Sequence, residues 1–209
     1  MKIISHRGYW KEPAEKNMEV AFHRSFDLGF GTETDVRDCA GKLMISHDMP
    51  LGNEVTLERF LEILNGRPLP LAINIKADGL AKKLKETLDK YKVADAFVFD
   101  MSVPDLLQQL KFGLPSFTRL SEYENEASCY DRAVGVWLDG FNGIWYGFDL
   151  IKKLLDDKKR VAIVSPDLHT RDPMDFWGML RDKGAVKHDG IILCTDFPEK
   201  AQEFFGLVK

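Results

Sequence analysis

The feature of this sequence that most constrains its fold is a regular alternation of short apolar runs with helix-like segments. Most of the runs are continuously apolar, which is typical of parallel strands that are covered on both faces of a sheet. Helical patterns separate most of them. The eight runs are KIISH, GTETDV, LAINIK, AFVFD, PSFTRL, VGVWLD, RVAIVS and GIILCT.

The helical segments between these runs carry the end signals of real helices. Thr56 and Ser102 stand where an N-cap is expected, and Asp172 followed by Pro173 predicts the start of another helix that ends before Gly184. The segment 122–135 has only a weak helical pattern. One buried stripe is predicted on the first helix: Met18, Ala21, Phe22 and Ser25.

Eight strands alternating with helices in 209 residues predict an α/β chain with the (β/α)₈ TIM-barrel fold. We expect a single domain over residues 1–209, because the length suits one such barrel. A doubly wound open sheet is the structural alternative. It is disfavoured because no glycine-rich G-x-G-x-x-G segment follows a strand.

Composition narrows the class of partner. A net charge of -4 and a pI near 5.8 give no electrostatic case for nucleic-acid binding, and no apolar run has the length of a transmembrane helix. Cys39, Cys129 and Cys194 are an odd number without a pairing pattern, which favours a reducing compartment. The candidate site segment begins at Ile4 and leaves no room for a signal peptide, so we expect a cytoplasmic protein.

The carboxyl ends of barrel strands meet at one rim, where active sites form. Glu33 and Asp35 at spacing i, i+2 lie on one side of the second strand and can reach one hard divalent cation. His47 and Asp48 follow in the next excursion of the chain. The other strands deliver His6, Arg7, Asn74, Lys76, Asp100, Thr118, Arg119, Trp137, Asp139, Ser165, Asp167, His169, Thr195 and Asp196.

These residue types together indicate phosphodiester chemistry. Arg7 can bind a phosphate with its bidentate fork and Lys76 as a point charge. His6 and His47 suit a general base and acid, because imidazole titrates near neutral pH. Each residue alone would be an ordinary surface group, and we expect His23 and His188 to be surface or packing histidines. The combination of the candidate site residues with SHRG on the first strand favours an active site.

The same stretches resemble the glycerophosphodiester phosphodiesterase family, within the phospholipase-C-like phosphodiesterase barrels. ISHRGY and EKNMEVAFHRSFDLGFGTETDVRDCAGKLMISHD resemble its His-Arg-Gly, Glu-Asn, Glu-x-Asp-Val and His-Asp blocks in order, with Lys16-Asn17 at the Glu-Asn position. LAINIK and DGIILCTDFPEKA resemble its third-strand and final-strand blocks. The match is specific over residues 3–48, whereas residues 91–160 share only the rhythm of strands and helices.

The resemblance implies a phosphoric diester hydrolase of lipid metabolism that acts on a glycerophosphodiester or a related alcohol phosphodiester with a divalent metal, Mg or Ca. A neighbouring hydroxyl of the substrate could attack the phosphorus and release a cyclic phosphate first. The implied roles are acid and base for His6 and His47, phosphate binding for Arg7 and Lys76, metal binding for Glu33 and Asp35, and loop support for Asn17.

Two departures from the family pattern bear on function. Asn74 stands where the family carries a third metal-binding glutamate; it offers a neutral oxygen, and Asp100 or Asp139 could complete the metal shell instead. Only Met49 to Pro70 separate His47-Asp48 from the third strand, so the small subdomain that the family inserts there is missing. Because that subdomain helps to enclose the glycerol side of the substrate, the sequence does not identify the alcohol group of the substrate.

The alternative function is that of a non-catalytic barrel that binds a phosphate or phosphodiester. The oligomeric state is open.

Overall fold

The structure, a computed structural model, describes residues 1–207. Helices and strands alternate through nearly all of this range. The nine strands and seven α-helices of residues 1–207 are β1 (Lys2–His6), α1 (Glu19–Asp27), β2 (Gly31–Cys39), β3 (Lys42–Ile45), α2 (Leu57–Leu64), β4 (Leu71–Ile75), α3 (Ala81–Lys90), β5 (Ala96–Phe99), α4 (Val103–Lys111), β6 (Phe117–Leu120), β7 (Gly135–Leu138), α5 (Phe148–Asp156), β8 (Arg160–Val164), α6 (Met174–Asp182), β9 (Ile191–Thr195) and α7 (Pro198–Phe204).

The chain divides into two compact units. Residues 6–116 form the first unit, in which the parallel strands are ordered β5-β4-β2. Residues 1–5 and 117–207 are the described part of the second unit, whose parallel strands are ordered β1-β9-β8-β7-β6. All eight predicted strands are present, and with the helices between them they confirm the predicted (β/α)₈ barrel fold. The single domain over residues 1–209 stays a prediction.

One strand was not predicted. Strand β3 pairs antiparallel with β2, with Val36 opposite Ile45 and Cys39 opposite Lys42. Ala40 and Gly41 form the turn, both with positive φ, as a two-residue hairpin turn requires. Because β3 gives it a partner, β2 continues three residues past the predicted run GTETDV.

The predicted helix starts are largely confirmed. The Thr56 side chain accepts a hydrogen bond from the amide of Arg59, and the Ser102 side chain accepts one from the amide of Asp105. Helix α6 begins one residue later than predicted. Its N-cap is Pro173, which stood as the first helical residue in the prediction.

Two expectations on helices were wrong or only weakly met. Ala21, Phe22 and Ser25 are buried on α1 as predicted, but Met18 is half exposed because it is the N-cap and lies outside the helical stripe. The weak pattern over 122–135 contains no helix; turns connect β6 to β7 there.

The core of the first unit lies between its helices and strands. Helices α1 and α2 meet through Phe22 and Phe60, whose rings pack edge to face at 4.7 Å, and the strands beneath them are buried. The three cysteines are free thiols, with Cys194 fully buried as expected. Within residues 1–207, no helix is both long enough and apolar enough to cross a bilayer.

Candidate active site

A tight turn after β1 places Arg7 against β2. Arg7 and Gly8 both have positive φ, and the amide of Arg7 donates to the carbonyl of Glu33 at 2.9 Å. A side chain at position 8 would put its Cβ 2.7 Å from the Cβ of Ala21, so only glycine fits. The amide of Gly8 donates to the Thr32 hydroxyl at 2.9 Å. Hydrogen bonds from the amides of Arg7 and Gly8 therefore hold this turn against β2.

Asp35 is contacted by the side chains of Arg7, Asn17 and Lys76. It is fully buried, and its Oδ2 lies 3.0 Å from Nε of Arg7 and accepts a 2.9 Å hydrogen bond from Nδ2 of Asn17. Its Oδ1 lies 3.5 Å from Nζ of Lys76. Two cations thus flank this carboxylate. Both predicted phosphate-binding residues lie beside a predicted metal ligand.

Glu33 lies on the same side of β2 and is also buried. Burial, and secondly the charge of Asp35, raise the pKa of Glu33 to about 8, although Arg7 and Lys76 oppose this shift. Its Oε2 accepts a hydrogen bond from the amide of Arg7 and lies 3.9 Å from Nε2 of His6. A cation bound beside Glu33 would lower this pKa, because a nearby positive charge favours the carboxylate.

Asn74 is the register partner of Asp35 on the neighbouring strand β4. Its Nδ2 donates to Oδ2 of Asp100 at 3.2 Å, which fixes the orientation of the amide. Its Oδ1 is buried and accepts no hydrogen bond from residues 1–207. Asp100 therefore orients the Asn74 amide. Asp139, the other carboxylate considered from the sequence, lies in the second unit and contacts His169 there.

These donors fit a weak site for a hard cation. Oδ1 of Asp35 is, like Oδ1 of Asn74, buried without a hydrogen bond from the described residues, and carboxylate and amide oxygens are ligands that Mg²⁺ and Ca²⁺ accept. Within residues 1–207, no three His, Cys, Asp or Glu side chains lie close enough together to hold a metal ion. The set is two carboxylates and one amide, and its negative charge is offset by Arg7 and Lys76.

His47 follows β3 in a loop. Its Nδ1 lies 2.9 Å from Oδ1 of Asp48, so Nε2 is the nitrogen left for proton exchange with a ligand. The ring is half exposed and lines a cavity of about 200 Å³ together with Arg7 and Asn17. His47 thus joins the other predicted residues through the cavity that it shares with Arg7.

The role of Asn17 was underestimated from the sequence, which suggested loop support alone. Asn17 has a positive φ, unusual for a residue other than glycine. Its Nδ2 binds Asp35, and its Oδ1 accepts a 2.9 Å hydrogen bond from the Thr34 hydroxyl, which the sequence did not single out. Asn17 therefore positions a candidate metal ligand directly.

The candidate site residues at the ends of β7, β8 and β9 contact one another within the second unit. Nε2 of His169 lies 2.8 Å from Oδ1 of Asp139. The carboxylate of Asp167 accepts hydrogen bonds from the Thr195 hydroxyl at 2.9 Å and the Asp196 amide at 2.7 Å. Burial raises the pKa of Asp167. These contacts tie the ends of β8 and β9 together.

No family model matches the chain, and no curated protein matches it in sequence. Solved structures match it over its full length. A glycerophosphodiester phosphodiesterase from Agrobacterium tumefaciens str. C58 has a TM-score of 0.70 at 18% identity, with 100% of both chains covered. A phosphodiesterase from Oleispira antarctica, in complex with the product sn-glycerol-3-phosphate, has a TM-score of 0.74 at 15% identity, covering 99% of this chain and 97% of that one.

A Ca²⁺-dependent phosphatidylinositol-specific phospholipase C from Streptomyces antibioticus also matches, with a TM-score of 0.59 at 11% identity and coverage of 98% and 96%. At these identities the likeness shows a common fold. Because one fold supports many activities, function has to be argued from the site.

Proposed function

We propose that this chain is a metal-dependent phosphodiester hydrolase of the glycerophosphodiester phosphodiesterase type. The observation that carries the proposal is the buried pair Glu33 and Asp35 on β2, flanked by Arg7 and Lys76. Buried ionised groups cost stability, and ionisable groups with strongly perturbed environments cluster at functional sites. The common fold with two phosphodiesterases and a phospholipase C supports this assignment.

Glu33, Asp35 and Asn74 would hold the divalent cation, Mg²⁺ or Ca²⁺. When bound, such a cation polarises a phosphoryl oxygen as a Lewis acid. The Ca²⁺ dependence stated for the Streptomyces antibioticus enzyme supports a divalent ion in this fold.

Arg7 and Lys76 would bind the phosphate. Nε of Arg7 already lies against Asp35, so the two Nη groups are those available for a bidentate contact with phosphate oxygens. Lys76 adds a point charge on the other side of Asp35. Both cations would stabilise the charge that builds on the phosphoryl oxygens during displacement.

His6 and His47 would carry the protons. One removes the proton from the attacking hydroxyl, which belongs to water or to a neighbouring group of the substrate, as a new P–O bond forms. The other donates a proton to the leaving alcohol as the original P–O bond breaks. Attack by a substrate hydroxyl gives a cyclic phosphate first. Asp48 at 2.9 Å orients the ring of His47 for this role.

The substrate of this proposal is a small-molecule glycerophosphodiester or a related alcohol phosphodiester. The complex of the Oleispira antarctica enzyme with sn-glycerol-3-phosphate supports a glycerophosphate product. A cytoplasmic location stays a prediction from the sequence.

One observation favours a second candidate, a barrel that binds phosphodiesters without turning them over. Asn74 offers a neutral oxygen in the proposed ligand set, and Arg7 and Lys76 already offset the charge of Asp35. A site with so little net negative charge attracts a dication weakly.

The test is release of alcohol from a panel of glycerophosphodiesters, lysophospholipids and nucleoside diphosphate-linked alcohols with Mg²⁺, Ca²⁺ or Mn²⁺. The wild-type protein should turn over at least one class, and His6→Ala and His47→Ala should each lose about 10²–10⁴-fold in rate. The matched control is His23→Ala, an exposed histidine on α1. Tight phosphodiester binding without turnover would favour the second candidate.

A further inference from the structure

The cavity that Arg7 and His47 line adjoins a larger one. The first measures about 200 Å³ and the second about 530 Å³. Met18, Glu54 and Val55 stand in the walls of both. We call the second cavity the α1–α2 groove. A ligand whose phosphate contacts Arg7 can therefore extend past Met18 into this groove, which has the size of a small-molecule site.

The groove offers mainly apolar contact. Met18 and Val20 are 49% and 47% exposed and line it from the start of α1, and Val55 lines it from the segment before α2. Of the three charged residues that line the groove, Glu19 and Arg59 are already paired with each other, with N–O distances of 2.9 and 2.8 Å. A polar ligand would gain little from these paired charges, whereas an apolar chain would cover the exposed methyl groups.

The loop after His47 carries two further exposed apolar side chains. Met49 and Leu51 are 81% and 88% exposed. The carboxylate of Glu54, which lines both cavities, accepts hydrogen bonds from the amides of Leu51 at 2.7 Å and Gly52 at 2.8 Å. These bonds lower the pKa of Glu54 and hold the loop in this conformation. Exposed apolar patches mark interaction surfaces or ligand-binding grooves.

We propose that the α1–α2 groove is a subsite for the apolar chain of the substrate, so that the preferred phosphodiester carries an alkyl or acyl chain, as a lysophospholipid does. The inference rests on the proposed function, because it takes Arg7 as the anchor of the phosphate. Continuity with the cavity of Arg7 and His47 is what assigns the groove to the substrate.

The expected effect follows from the burial of methylene groups. Full burial of one methylene strengthens binding roughly fourfold, and a groove that covers about half of the chain gives about twofold. Octyl phosphate, six methylenes longer than ethyl phosphate, should therefore bind roughly 50- to 100-fold more tightly.

The experiment is calorimetric titration of the full chain with ethyl phosphate and with octyl phosphate below its micelle concentration. The wild-type protein should show the difference in Kd, and Val20→Glu should reduce it to less than about fivefold, since a charge in the groove removes the apolar contact. The matched control is Val103→Glu, at a valine 51% exposed in the first turn of α4. Equal Kd values for the two probes, or a difference that Val20→Glu retains, would overturn the inference.

Binding of alkyl phosphates needs no turnover, so the two proposals fail separately. A chain-length effect without hydrolysis of any phosphodiester supports the groove and overturns the catalytic proposal. Hydrolysis of short diesters with equal Kd values for the two probes overturns the groove alone. Equal Kd values together with a dimer that Val20→Glu dissociates in sedimentation would assign the groove to a second copy of the chain and also overturn the inference.

Discussion

Asp35 and Asn74 are register partners on the parallel strands β2 and β4, and each has a buried Oδ1 that accepts no hydrogen bond within residues 1–207. A buried oxygen that accepts no hydrogen bond is costly, although Nζ of Lys76 lies 3.5 Å from Oδ1 of Asp35. A cation between the two Oδ1 atoms would relieve that cost. In the proposed ligand set, this relationship gives the neutral asparagine an oxygen that can face the cation, with Asp100 accepting a hydrogen bond from its amide nitrogen.

The first prediction concerns the charge of this ligand set. Asn74→Glu alone would put a carboxylate beside Asp100, because the two side chains are 3.2 Å apart in the wild type. The double variant Asn74→Glu/Asp100→Asn removes that repulsion and should bind Ca²⁺ or Mg²⁺ at least about tenfold more tightly, which is about 1.4 kcal/mol. Calorimetric titration measures it. Unchanged affinity in the double variant would show that position 74 is not a ligand position.

The second prediction concerns stability and pH in the metal-free protein. The pKa of Glu33 in the folded state is about 8, above the ordinary value of 4.5. The protonated form is therefore favoured on folding, and this stabilisation is present below pH 4.5 and is lost as the pH rises through about 8. The measurement is urea unfolding in the presence of EDTA at several pH values. Glu33→Gln should reduce the loss of unfolding free energy as the pH rises.

The control for that prediction is Glu86→Gln, at an exposed glutamate on α3. It should leave the pH dependence of the unfolding free energy as in the wild type. A wild-type protein equally stable at pH 5 and pH 8.5 would contradict the burial argument for Glu33.

The third prediction concerns the turn after β1. Gly8→Ala combines a positive φ with a Cβ contact of 2.7 Å, whereas Gly41→Ala has a similar φ of 78° and no neighbour within 4 Å. The left-handed backbone alone costs about 1–2 kcal/mol. Gly8→Ala should lower the unfolding free energy beyond Gly41→Ala by at least about 1 kcal/mol, owing to overpacking. Equal losses of unfolding free energy in the two variants would mean that Ala21 shifts at little cost to make room for the added methyl group.

The fourth prediction concerns Asn17 as a positioning residue. Asn17→Ala removes the 2.9 Å hydrogen bond to Asp35 and should weaken cation binding about 10- to 100-fold, the usual effect of losing a group that orients a ligand. Asn125→Ala, at an exposed asparagine, is the control. The readout is the Kd for Ca²⁺. If both variants bind Ca²⁺ as the wild type does, Asn17 supports only its loop.

Local signals predicted the strands and helix starts well. The caps Thr56 and Ser102 act through hydrogen bonds within three residues, so the chain sequence alone contains them. Strand β3 was missed because its turn begins at Ala40, which rarely takes a positive φ. The exposure of Met18 was missed because the helical stripe was extended one residue too far.

The candidate site was predictable where residues lie on one strand. Glu33 and Asp35 share a face of β2 by spacing alone. The relation of Asn74 to Asp100 was not predictable, because it depends on side-chain direction across two strands. The α1–α2 groove lay beyond the sequence as well, since its walls come from segments more than 30 residues apart.

The central claim is that a cation held by Glu33 and Asp35 supports phosphodiester hydrolysis. The most direct measurement is the initial rate of glycerophosphodiester hydrolysis by chelator-stripped protein as Mg²⁺ or Ca²⁺ is added back, in the wild type and in Glu33→Ala. We predict that the stripped wild type is inactive, that the cation restores its rate in a saturable way, and that Glu33→Ala stays inactive. Full activity of the stripped wild type, with Glu33→Ala equally active, would contradict the account.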